Sequence, residues 1–188
     1  MKSLSWPSWP QFGKEESDVV LRVISRGQLF AADEVHKFEQ QFASYCNIDC
    51  AIAIGNATQG LHLALAALGI GIGDEVIVTS YSWISSASCI LMQNATPIFA
   101  DCSKERLSPE PIDIECLITP RTKAILLTHV WGHSFNIPGI LAICQRYNIP
   151  LIEDAAHAHG ALLIDSGQKL GTFGTIGVFS FHQRKNLP

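Results

Sequence analysis

The chain has 188 residues, 47% of them hydrophobic and 16% charged, which suits a folded globular protein with a sizeable core and argues against disorder. A net charge of −4 with scattered basic residues offers no stripe for nucleic acid and no polybasic patch for a membrane. No apolar run reaches the roughly 18 residues that span a bilayer, and the prolines of Ser-Leu-Ser-Trp-Pro-Ser-Trp-Pro interrupt any secretory core, so the expectation is a cytoplasmic protein.

In chain order, residues 1–13 are rich in proline and tryptophan without periodicity and read as an extended arm that packs Trp6 and Trp9. Glu15 to Arg26 carries apolar residues at 19, 20, 23 and 24 and stops at Gly27, the pattern of a helix with a left-handed cap. After a loop, a second helix starts at Asp33, with Val35, Phe38, Phe42 and Tyr45 as its expected buried stripe. From Ala51 strands and helices alternate: strands at 51–54, 75–79, 97–100, 123–128 and 151–154, helices at 58–68, 84–93, 111–118 and 139–147. The alternation predicts an α/β fold, a doubly wound, mostly parallel sheet with helices on both faces, whose function sits at the carboxyl ends of the strands. Residues 1–50 are the expected arm and helices, and 51–188 the large domain. The six cysteines form no CxxC pair and read as reduced thiols.

Residues with reactive side chains collect at those strand ends. The stretch IGNATQGLHLAL (54–65) turns through small residues into a helix whose first N–H groups can bind an anion. In TSYSWISSAS, Trp83 lies just past a strand, as a core residue or as an aromatic platform. His129 and His133, added to His157 and His159, raise the alternative of a metal-dependent hydrolase. Against it, alternate residues of Ala-Ala-His-Ala-His-Gly-Ala face opposite ways when extended, so no metal is expected. Leu151 to Asp154 is a short apolar run ending in two carboxylates, the look of a buried strand that delivers Asp154 to its edge. Gly177 to Ser180 repeats the pattern with a hydroxyl, and a loop with His182, Arg184 and Lys185 follows. An amine near a buried acid suits imine chemistry on a carbonyl cofactor: a lysine can form a Schiff base, an acid can keep a pyridine nitrogen protonated, and hydroxyls with backbone N–H groups can hold a phosphate.

IEDAAHAHGA followed by GTFGTIGVFSFHQRKNL closely resembles the DegT-type sugar aminotransferases, pyridoxal 5'-phosphate (PLP) enzymes of the aspartate aminotransferase fold. The resemblance implies a fold type I large domain, with Asp154 at the ring nitrogen, Ser180 at the phosphate and Lys185 carrying the cofactor. It adds Ala57 and Thr58 as phosphate contacts, where members commonly have Ser-Gly-Thr and this chain has Asn56-Ala57-Thr58; Trp83 as the ring stacked on the pyridine; and His157 beside the phenolic oxygen. It implies transfer of an amino group from glutamate or glutamine to a nucleotide-linked keto sugar or a keto-cyclitol, in a homodimer. Some members are dehydratases with histidine in place of the lysine, and Lys185 argues against that activity here. Members continue past this lysine through a further strand and a smaller carboxyl-terminal domain, so the large domain is expected to be truncated. The alternative function is then that of a catalytically incompetent fragment.

Overall fold

The structure is a computed structural model that describes residues 9–27, 29–30, 32–104 and 107–187; Trp6 lies outside them. The chain divides into two compact units, one running to Ala53 and including 182–184, the other Ile54–Phe181 with Lys185–Leu187.

The amino-terminal unit holds α1 (Lys14–Arg26) and α2 (Asp33–Cys46). Gly27 ends α1 with φ 66, in the left-handed region where the missing Cβ removes the steric cost. The expected apolar stripes are present but uncovered among the described residues. No residue of α1 is buried, and on α2 only Ala43 and Cys46 are. Phe38 is instead stacked on Phe42 at 5.7 Å, with Tyr45 tilted against Phe42 at 6.1 Å. Residues 51–54 form no strand, which corrects the reading from sequence. The Ala53 N–H donates to the Glu39 carboxylate at 2.8 Å rather than to a ladder.

The larger unit contains α3 (Ala57–Ala67), β1 (Glu75–Thr79), α4 (Ser85–Met92), β2 (Thr96–Ala100), α5 (Pro111–Glu115), β3 (Thr122–Thr128), α6 (Ile137–Tyr147), β4 (Leu151–Asp154) and β5 (Ile176–Val178). The five strands run parallel in the order β2-β1-β3-β4-β5. Successive strand residues point to opposite faces, and the core divides accordingly. Val76, Val78, Ala124, Leu126 and Ile152 pack with Leu61 and Leu65 of α3 and Ile90 of α4. Ile77, Ile125, Leu127 and Leu151 pack with Ile114 of α5 and Ile140 and Ile143 of α6. The central strands are buried on both faces, which is why they read as unbroken apolar runs.

Between β4 and β5 the chain makes a loop whose glycines are set by contact. A Cβ on Gly171 (φ 88) would meet Phe179 Cζ at 2.5 Å and Ala155 Cβ at 2.7 Å, and a Cβ on Gly177 would meet the Gly171 carbonyl oxygen at 1.9 Å. The loop therefore lies directly against β5 and the Phe179 that follows it.

Candidate active site

The carboxyl ends of β1, β3, β4 and β5 lie on one edge of the parallel sheet. β4 runs out at Asp154, which is 4% exposed and held by three donors. Ser86 Oγ donates to Oδ2 at 2.8 Å, Thr128 Oγ1 lies 3.4 Å from the same oxygen, and the Ala156 N–H donates to Oδ1 at 3.1 Å. Ser82 extends this cluster, 2.7 Å from Ser86 Oγ and 2.9 Å from Thr128 Oγ1. The carboxylate is thus oriented by hydroxyls from the β1–α4 connection, from α4 and from β3.

Lys185 belongs to the same unit and is partly buried. Burial lowers its pKa below the usual lysine range, against the attraction of Asp154. The pKa of His157 is lowered by burial and then by the positive charge of Lys185, with Asp154 opposing. The pKa of His159 is lowered by burial, Lys185 and His157. Lys185 thus acts electrostatically on both histidines, and Asp154 on Lys185 and His157. The Trp131 N–H donates to His157 Nδ1 at 3.4 Å, from a residue held at φ 52 in a tight turn over Val130–Gly132. The His159 ring lies 5.5 Å from that of Phe179 and 5.1 Å from that of Phe181, and both its nitrogens are buried without a hydrogen-bond partner among the described residues.

Ser180, between those two phenylalanines, is 8% exposed. Ala57 and Thr58 open α3, whose amino-terminal N–H groups form the first turn behind the Asn56 cap. Thr58 Oγ1 lies 2.7 Å from Ser85 Oγ, joining the starts of α3 and α4. Ala57 is not among the residues with positive φ, so it takes the helical start without strain. Trp83 precedes α4 with 73% of its surface exposed, its carbonyl accepting from the Ser86 N–H at 3.1 Å.

The adjacent carboxylate has a separate set of partners. Glu153, at 0% exposure, accepts from His129 Nε2 at 2.7 Å and from the N–H groups of Gly171 at 3.0 Å, Phe173 at 2.7 Å and Gly174 at 2.6 Å. Burial alone would raise its pKa; the bonds from His129, Gly174 and Gly171 outweigh that and leave it lowered. The His129 ring stacks on Phe135 at 4.5 Å. His129 is thus engaged by a carboxylate, and no group of three or more metal-ligating side chains occurs among the described residues.

The lowered histidine values have a stability consequence. Because the folded pKa lies below the ordinary 6.5, the unfolded chain takes up these protons first. The stabilisation is fully present above that value and is lost as pH falls through the lowered folded pKa. Melting temperature is expected to decline as pH falls below about 6.5, with the Glu153 contribution lost only below 4.5. The double variant His157→Gln, His159→Gln should flatten the first part of that decline. An unchanged slope would remove these two histidines as its cause.

The donor set fits a phosphorylated pyridine aldehyde. A buried acid, a partly buried amine and a helix amino terminus belong to the same unit. Residues 10–188 match the DegT/DnrJ/EryC1/StrS aminotransferase family. The fold superposes on an aminotransferase from Psychrobacter cryohalolentis with a TM-score of 0.93 at 38% identity, over 97% of this chain and 46% of that one. It superposes on 3-amino-5-hydroxybenzoic acid synthase with a TM-score of 0.90 at 34% identity, over 95% and 47%. A sugar aminotransferase candidate from Streptococcus pneumoniae in its PLP-form gives 0.90 at 26% identity, over 96% and 49%. The chain spans about half the length of these relatives.

Proposed function

The chain belongs to the DegT/DnrJ/EryC1/StrS aminotransferase family, and from that premise we propose that it forms the cofactor-holding part of a PLP-dependent enzyme. The reaction proposed moves an amino group from glutamate or glutamine to a nucleotide-linked keto sugar or a keto-cyclitol, in a cytoplasmic homodimer. The observation that carries this reading is the buried Asp154 carboxylate, held at the carboxyl end of β4 by Ser86, Thr128 and the Ala156 N–H, with the partly buried Lys185 amine near enough to feel its charge.

When bound, PLP supplies a pyridine ring that accepts the electron pair left at the donor's α-carbon as its proton departs. Lys185 would hold the cofactor and, as a neutral amine, would carry that proton, a general-base step typically worth about 10²–10⁴ in rate. Asp154 would pair with the ring nitrogen and keep a proton on it. Ser180, Thr58 and the N–H groups of Ala57 and Thr58 take the phosphate. Trp83 would lie against the ring and His157 would bond its phenolic oxygen.

The test is the donor half-reaction alone, which needs no acceptor. The protein is charged with PLP, and L-glutamate or L-glutamine is added. The expected result is loss of the visible band of lysine-bound PLP with stoichiometric release of the matching keto acid. A bound cofactor that responds to neither amino acid would sink the donor assignment. A protein in which PLP never reaches Lys185 would sink the cofactor reading itself.

A further inference from the structure

Two carboxylates end β4, and the proposed chemistry uses only one. Glu153 faces away from the hydroxyl cluster that holds Asp154, toward the loop leading into β5, and it gathers three backbone N–H groups there. These bonds are charge-assisted, the Glu153 side chain that accepts them is fully buried, and one of them holds Gly171. The Gly171 carbonyl in turn packs on Gly177 of β5, and a Cβ on Gly171 would strike the ring of Phe179. Phe179 immediately precedes Ser180, and with Phe181 it holds the His159 ring. The Ala155 N–H, next to the two acids, donates to the Val178 carbonyl at 2.8 Å.

We propose that Glu153 is a positioning residue of the site: through Gly171 it sets where the Phe179–Ser180–Phe181 segment lies, and so where the Ser180 hydroxyl meets a phosphate. This rests on the reading of Ser180 as a phosphate contact. His129 completes the device from β3, because its Nε2 fills the remaining side of the Glu153 Oε2 atom. The carboxylate suits this place because each of its oxygens only accepts. A glutamine of the same length carries a single oxygen. In either orientation its NH₂ opposes a backbone donor, the Gly171 N–H on one side or those of Phe173 and Gly174 on the other.

The experiment compares Glu153→Gln with Ile140→Val, a core-thinning variant in α6 that removes no hydrogen bond of the loop, below the melting temperature of both. Amide hydrogen exchange and PLP affinity are measured on the full chain. In Glu153→Gln, exchange at Gly171 or Gly174 is expected to rise roughly ten- to hundredfold, with a parallel rise at Phe179–Phe181. The dissociation constant for PLP should increase about tenfold, as loss of one charge-assisted bond at the phosphate site would give. In Ile140→Val, both quantities should stay at the parent's values. Unchanged exchange at Phe179–Phe181 in Glu153→Gln, or equal shifts in the two variants, would overturn the proposal. Should Glu153→Gln fail to fold, Glu153→Asp keeps the charge but cannot span the loop, and it carries the same comparison. If the parent chain binds no PLP, the phosphate reading of Ser180 fails, while exchange at Phe179–Phe181 still decides whether Glu153 places that segment.

Discussion

Replacing Lys185 with alanine is expected to abolish the visible band of lysine-bound PLP and to stop release of keto acid from glutamate. The argument starts from the state of the amine. An exposed lysine is almost wholly protonated at neutral pH and has no lone pair to offer. Burial in the larger unit lowers the Lys185 pKa, so a greater share of it is neutral. The nearby Asp154 carboxylate works the other way, which keeps the shift in check and holds the charged form close to the acid. Alanine removes both the nucleophile and the proton carrier, and the rate of proton transfer should fall by about 10²–10⁴. Small primary amines added to Lys185→Ala should restore part of that rate, since they replace the function without the tether. A full visible band in Lys185→Ala would show that another amine is the anchor.

How far the sequence could be read depended on whether a feature is local. β1 matches its expected range, and β4 ends at Asp154 as expected, because each is buried along its length and bounded by turn residues. Residues 51–54 carry the same apolar signature, yet Ile52 is 73% exposed and the segment pairs with no strand among the described residues. A strand is a property of two chain segments, and composition reports on one. The face shared by Phe38, Phe42 and Tyr45 was legible for the same reason that its burial was not. Helical period sets which residues align, and only a neighbouring element covers them: Phe38 remains 39% exposed and Tyr45 49%.

At the site, motif resemblance singled out Asp154 and Lys185, and the Asp154 charge acts on the Lys185 amine. The hydroxyls that hold Asp154 were not legible, since Ser86 and Thr128 arrive from α4 and β3 through tertiary contact. Glu153 was visible only as a second acid. Strand period puts neighbours on opposite faces, but what waits on the far face, His129 and the glycine loop, is known only once the sheet is built.

Asp154→Asn is expected to leave the chain folded and to slow proton transfer by on the order of 10²–10³, the typical loss when one preorganised electrostatic partner is removed. The two effects separate because the carboxylate has two kinds of partner. Toward the protein it accepts from Ser86, Thr128 and the Ala156 N–H. An asparagine keeps one acceptor oxygen and turns an NH₂ group toward one of those donors, a buried mismatch costing about 1–3 kcal/mol. Toward a pyridine nitrogen the change is larger, because a neutral amide cannot favour a proton there. Ser86→Ala is the control: it removes the 2.8 Å bond to Oδ2 but leaves the negative charge. If Asp154 acts by charge, Asp154→Asn must lose far more rate than Ser86→Ala at a comparable loss in melting temperature. Equal rate losses would mean that the acid only braces the end of β4, and the proton on the ring would then need another keeper.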